Sequence, residues 1–266
     1  LASLRSVKRT REPARAFAGF GDPIFSRTQV AAVGLGTRSV KLRSAPFAEE
    51  PAKRLSSQLA QLAPLPDTRD EVQSIAQVLG STDLFLEAQA SEANVKRSDL
   101  SDRRVIMFAT HGLIPGDLDG LTQPALALSN PQVTGETDAD GLLTMEEIFG
   151  LKLNADWVVL SACNTASGVG EGSEAVSGLG RAFFYAGARA LLVSNWPVET
   201  VSARLLTTEV FRRQAADPRL ARAEALRQAM LRVMDEESAK GEDGKPAYSY
   251  AHPMFWAPFS LVGDGN

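Results

Sequence analysis

Two apolar runs, Val105–Thr110 and Trp157–Ser161, each lead straight to a reactive side chain, His111 after the first and Cys163 after the second. Short continuous runs rich in Val, Ile and Leu are the mark of strands buried on both faces, which is the usual state of a parallel sheet flanked by helices. In open α/β sheets, reacting groups gather beyond the carboxyl ends of the strands. Neighbouring strands would therefore bring imidazole and thiol together across the 52 residues that separate them. A thiol attacks as thiolate and needs a base to form it near neutrality. His111 is the candidate base and Cys163 the candidate nucleophile. The backbone N–H groups of Gly112 and Cys163 are candidates for an oxyanion hole, where fixed donors meet the charge of a tetrahedral intermediate. His252, the second histidine, precedes Pro253 in a loop and reads as a structural residue.

The flanking pattern supports such a sheet. Ala16–Gly21 reads as a first strand that runs into a turn at Asp22-Pro23. Three prolines between Gly36 and Leu65 suggest a long excursion, helical near Pro51–Leu62. Val72, Ile75, Ala76 and Leu79 fall on one face of a helix that opens at Asp67 and stops at Gly80. A strand at Asp83–Glu87 and a helix capped by Ser91 precede the first apolar run. A strand at Pro124–Ser129 and a capping-box helix at Thr144–Glu147 follow it. Beyond Cys163 come a helix closed by Gly187, a strand at Ala190–Ser194, and helices over Thr200–Gln214 and Leu220–Met234. Glu236–Pro246 reads as a polar loop and Phe255–Val262 as a last strand. This alternation predicts a three-layer α/β/α sandwich around a largely parallel sheet.

Composition narrows the function. A single Cys excludes an internal disulfide framework and suits a reducing, cytoplasmic setting. One Cys with two His is too few for a structural zinc site, and the dyad chemistry requires neither metal nor organic cofactor. No apolar run is long enough to span a bilayer, so no membrane role is expected. The first 54 residues carry eleven Lys and Arg against four Asp and Glu, and the rest is acidic. Residues 1–15 read as a solvated basic arm rather than a nucleic-acid module, because no aromatic residues interleave with the charge. The chain begins at Leu1 rather than Met, which is compatible with a piece of a longer protein.

Specificity is less sharply drawn. Asp22, after the first strand, and Glu199, after Ser194-Asn-Trp-Pro197, are carboxylates where such a fold lines the pocket for the residue preceding the cleaved bond. Either can receive Arg or Lys through a charge-assisted hydrogen bond. Ser161 and Asn195, at strand ends, are further candidates for substrate contact. Asp22 also fits a turn before Pro, and Glu199 a helix N-terminal acid. A competing motif is Gly170-Glu-Gly-Ser-Glu-Ala175, which fits a G-x-G-x-x-A dinucleotide fingerprint between strand and helix. Its own acids oppose a pyrophosphate, which leaves a nucleotide-binding α/β protein as a minor alternative.

A His about 50 residues before an Ala-Cys element is the caspase arrangement. At Phe108-Ala-Thr-His-Gly112, Asp140-Gly-Leu-Leu-Thr144, Val159-Leu-Ser-Ala-Cys163 and Gly170-Glu-Gly-Ser173, the chain resembles CHAT domains. Arg181–Ala188, Ser194-Asn-Trp-Pro197 and His252–Phe259 extend the match. CHAT domains are a bacterial branch of the caspase-like peptidases, often attached to tetratricopeptide repeats. The resemblance implies a caspase-like peptidase domain over residues 16–266 and a His111–Cys163 dyad. It also implies endopeptidase activity on protein or peptide substrates, held in check by attached or partner domains. Its oligomeric state is not implied. The resemblance leaves room for a catalytically inactive scaffold that binds protein partners. Ser161-Ala-Cys-Asn-Thr165 departs from the caspase pattern, in which Gln precedes Ala-Cys, so cleavage after Asp is not expected.

Overall fold

The computed structural model of the chain describes residues 12–31, 51–161, 172–196, 198–241 and 244–266. In chain order, β1 (Arg15–Gly21) is followed by α1 (Arg27–Ala31), α2 (Pro51–Leu59), α3 (Asp67–Leu79) and β2 (Leu84–Leu86). After α4 (Glu92–Arg97) comes β3 (Arg103–Ala109), the first apolar run. Next are β4 (Gly112–Leu113), β5 (Ala125–Ala127), α5 (Pro131–Thr134), β6 (Leu142–Thr144) and α6 (Met145–Gly150). The second run is β7 (Trp157–Leu160), and α7 (Gly172–Ala186), β8 (Ala190–Ser194), α8 (Thr200–Ala216) and α9 (Arg222–Glu236) continue the alternation. The chain closes with β9 (Ser238–Lys240), β10 (Pro246–Ser249), α10 (Pro253–Trp256) and β11 (Phe259–Gly263).

Six strands form one sheet in the order β11-β8-β7-β3-β1-β2, parallel except for the antiparallel edge strand β11. Because side chains alternate across a strand, each run feeds two cores. Phe20, Ile106, Phe108 and Leu160 face Val95 of α4, Ile148 of α6 and Phe183 of α7. Phe17, Met107, Trp157 and Val159 face Val72 of α3, Leu206 of α8 and Ala229 of α9. This is the expected three-layer, caspase-like α/β sandwich. Phe20 stacks on Phe85 and Phe108 of the flanking strands at centroid distances of 4.5 and 5.1 Å. Those residues are register partners, so the ring stack pins β2, β1 and β3 against slippage. Each such ring pair adds about 0.5–1.5 kcal/mol beyond its buried area.

Local signals set the helix ends. Gly80, at φ +63°, closes α3 in a left-handed conformation that Gly adopts without a Cβ clash. Thr144 and Glu147 form the reciprocal capping box that starts α6. Ser91 Oγ accepts from Asn94 N–H at the start of α4.

The reading differs from the structure in three places. The polar stretch Glu236–Pro246 is not a plain loop, since β9 pairs with β10 as an antiparallel hairpin. The expected strand Phe255–Val262 is split into α10 and β11, with His252 Nδ1 accepting from Met254 N–H as the cap of α10. A second sheet, β4-β5-β6, covers an apolar cluster containing Phe25, Leu59, Leu113 and Leu142. Most of the basic arm lies outside the described residues. Its end is tied to the domain, because Ala14 N–H donates to Asp102 at 2.7 Å and Arg15 pairs with Asp83.

Candidate active site

The carboxyl ends of β1, β3, β7 and β8 are nearly flush: Gly21 pairs with Ala109, Phe108 with Leu160, and Leu160 with Val193. β3 and β7 are adjacent and parallel, as the two apolar runs suggested. His111 therefore stands two residues beyond one strand, beside the strand that runs into Ser161, Ala162 and Cys163. Ser161 N–H donates to the Phe108 carbonyl at 3.0 Å, which carries the ladder one residue past β7. Cys163 itself lies outside the described residues, as do Gly170 and Glu171.

The backbone holding His111 is pinned on both sides of the ring. The Thr110 hydroxyl donates to the Ala127 carbonyl, and Ala127 N–H donates to the His111 carbonyl at 2.9 Å. The ring packs against Phe25 at a centroid distance of 5.5 Å. Nε2 sits 2.8 Å from the Ala63 carbonyl. A carbonyl oxygen can only accept, so Nε2 carries the proton. In the neutral ring this makes Nδ1 the acceptor nitrogen, the condition for a general base. Ala63 is itself anchored: Gln29 Nε2 donates to the adjacent Leu62 carbonyl at 3.1 Å, and Gln29 Oε1 accepts from Phe25 N–H at 2.7 Å. The ring and the carbonyl that orients it thus share one bonded framework.

Gly112 opens β4 opposite Leu126. Ala127 N–H bonds the preceding His111 carbonyl, which makes the Gly112–Leu126 rung a non-hydrogen-bonded pair. The Gly112 N–H consequently points away from β5.

The four expected substrate-contacting residues all have partners within the fold. Asp22, at φ +50°, is held by Arg69, with Nη2 at 2.7 Å and Nε at 3.0 Å from Oδ2. Burial raises the Asp22 carboxyl above its ordinary range, against the opposing pull of Arg69. Arg69 also contacts Glu87. Glu199 caps α8, accepting from Val201 and Ser202 N–H at 3.2 and 2.7 Å. Asn195 Nδ2 donates to the Pro258 carbonyl and Ser260 Oγ, both at 2.7 Å, which ties the end of β8 to β11. Ser161 Oγ donates to Glu71 Oε2 at 2.9 Å. Asp22 and Glu199 flank the site from opposite sides, with β3 and β7 between their strands.

Two participants were not anticipated. The Ala63 carbonyl is a backbone group with no sequence signature. Glu71 had one, because it stands among Thr68, Val72, Ile75 and Ala76 on the buried face of α3, where a carboxylate is out of place. Burial pushes its carboxyl up to about 7, and hydrogen bonds from Ser161 and Thr207 and the Arg204 charge oppose the shift. Among the described residues, no group of three or more His, Cys, Asp or Glu is arranged to hold a metal ion, and no helix is long and apolar enough to cross a membrane.

Tetratricopeptide repeat protein 28 of Mus musculus is 30% identical over 125 residues, covering 46% of this chain and 4% of that protein. Tetratricopeptide repeat protein 28 of Homo sapiens is 25% identical over 229 residues, covering 75% of this chain and 8% of that protein. The chain thus spans less than a tenth of the length of these relatives. Both are mammalian, so the similarity is not confined to bacteria. The model of the CHAT domain family matches residues 1–264, and with the parallel sheet described above the chain belongs to that caspase-like, peptidase-related family.

Proposed function

We propose that the chain is a cysteine-type endopeptidase acting through His111 and Cys163. The observation that carries the reading is the bond from His111 Nε2 to the Ala63 carbonyl, beside the strand that leads to Cys163. This bond sets the tautomer in which Nδ1 accepts the thiol proton. The thiolate attacks the scissile carbonyl, and the N–H groups of Gly112 and Cys163 receive the developing oxyanion. The imidazolium returns the proton to the departing amine, leaving a thioester on Cys163. Water, deprotonated by the same imidazole, then releases the acid product. The substrate is a protein or peptide. The repeats that name the relatives suggest a tetratricopeptide-type domain as regulator or partner.

The test is cleavage of a peptide library spanning every residue before the scissile bond, by the wild type, Cys163→Ala and His111→Ala. Cleavage that disappears in both variants supports the dyad, and preference for Arg or Lys would point to Asp22 or Glu199 as the carboxylate that receives the side chain. A second reading, an inactive scaffold, is favoured by the internal partners of Asp22, Ser161, Asn195 and Glu199. Wild-type Cys163 alkylating no faster than an ordinary thiol, together with silence on the library, would select it.

A further inference from the structure

Glu71 is only 3% exposed, on the face of α3 that packs with Val72 and Ile75 against the sheet and α8. A buried carboxylate is costly to desolvate, and its retention calls for a bonded role. Its two oxygens reach two different elements. Ser161 Oγ, just past β7, donates to Oε2 at 2.9 Å. Thr207 Oγ1, on α8, lies 3.0 Å from Oε1 and 2.9 Å from the Ala203 carbonyl.

Counting protons separates two states, since a hydroxyl has only one to give. With Glu71 neutral, its O–H donates to Thr207, Thr207 donates to Ala203, and Ser161 donates to Oε2. Every group in that chain of bonds is satisfied. With Glu71 ionised, Thr207 must turn its proton to Oε1 and release the Ala203 carbonyl. Burial, which holds the carboxyl at about 7, makes both states accessible near neutrality. The surrounding charges are few. On α8, Arg204 acts on Glu71 and also lies 3.9 Å from Asp70 of α3. On α3, Arg69 is paired with Asp22 from the end of β1, while β1 and β3 supply apolar Phe17, Met107 and Ala109 to this layer.

We infer that Glu71 is a positioning residue for Cys163: by seating the Ser161 hydroxyl against α3 and α8, it fixes the point from which the nucleophile's segment leaves the sheet. Ser161 is two residues before Cys163. Glu71 acts through Ser161. The inference rests on the peptidase reading.

The test uses the whole chain, whose single Cys makes alkylation a report on one site. Iodoacetamide labelling rates are measured from about pH 5 to about pH 9 for wild type, Glu71→Gln, Glu71→Ala, Ser161→Ala and His111→Ala. The Gln amide accepts from Ser161 and donates to Thr207, as the neutral acid does. Glu71→Gln should label within about twofold of wild type across this range, because the bond from Ser161 is kept whether or not the wild-type carboxyl is charged. Glu71→Ala and Ser161→Ala should slow labelling by about tenfold or more, the scale of misplacing a reacting group by about an ångström. Ser161→Ala removes one hydroxyl and keeps the test sound should Glu71→Ala fail to fold. Labelling of Ser161→Ala at the wild-type rate would overturn the inference, as would Glu71→Gln labelling as slowly as Glu71→Ala. Wild-type labelling at an ordinary thiol rate, indifferent to His111, would instead sink the peptidase reading and this inference with it.

Discussion

Replacing Glu71 by Gln should change the pH dependence of folding stability in a calculable way. The folded carboxyl is raised from 4.5 to about 7, mainly by burial. Between those values the folded state binds a proton that the unfolded chain has released. The resulting stabilisation is fully present below about pH 4.5 and is lost as pH rises through about 7. At 1.36 kcal/mol per tenfold change in proton affinity, the whole effect is about 3 kcal/mol, most of it falling between pH 5 and pH 8. Gln keeps the volume and both hydrogen bonds but does not titrate. The stability of Glu71→Gln relative to wild type should therefore rise by about 2–3 kcal/mol across that window, which corresponds to a Tm difference growing by roughly 5 °C or more. Urea unfolding at several pH values, fitted for both proteins, measures the difference while cancelling all other titrating groups. Parallel curves, with a gap constant to within about 0.5 kcal/mol, would show that Glu71 does not hold a proton on folding and would refute the two-state bonding scheme.

Three further substitutions probe the frame around the site. A Cβ at Gly19 would lie 2.4 Å from Val72 Cγ1 and 2.6 Å from the Phe17 ring, so Gly19→Ala should lift α3 and cost about 2 kcal/mol or more in chemical denaturation. It should also shrink the Glu71-dependent pH step. Asp22→Asn and Asp22→Ala both remove the ion pair with Arg69, but at φ +50° Asn is tolerated far better than Ala. Thermal unfolding should place Asp22→Ala below Asp22→Asn by about 1 kcal/mol, and equal melting points would argue that the backbone relaxes there. Thr144→Ala deletes the capping box of α6 and should cost about 1 kcal/mol, to which Glu147→Ala should add only the small loss of its ion pair with Lys96.

The parts of the fold that read clearly from sequence are those whose local pattern matches their final burial. β3 and β7 are covered on both faces, so their apolar runs are unbroken, and α3 and α6 carry their own stop and start signals. β4, β5 and β6 are two or three residues long, too short for any periodicity to show. The β9–β10 hairpin exposes most of its residues and so reads as loop. The candidate site was legible at His111 and Gly112 because strand ends are visible in the sequence. Asp22 and Glu199 follow strands on either side of it, and each is bonded within the fold, Glu199 as the helix N-terminal acid that the pattern also offered and Asp22 to the distant Arg69. Which bond wins depends on long-range geometry, such as the arrival of Arg69 beside Asp22. Glu71 is the opposite case: its spacing marked it as buried, and only the tertiary structure supplies Ser161 and Thr207 as the reason.

One element ties these observations together. Gly19 and Gly21 leave no Cβ between β1 and Val72, so α3 lies close against the sheet. From that position its first turns reach two strand ends. The Thr68 hydroxyl accepts from Asp22 N–H at 2.8 Å, Arg69 clamps the Asp22 carboxylate, and Glu71 receives Ser161. The segment just before α3 supplies the Ala63 carbonyl that orients His111. His111 and Ser161 are thus held from one short stretch, 63–71, which ends in a helix anchored through Ile75 and Ala76 in the core. A helix so anchored holds geometry better than a free loop does. It follows that lifting α3 from the sheet acts on His111 through Ala63 and on the approach to Cys163 through Ser161, while the parallel strands beneath can stay paired.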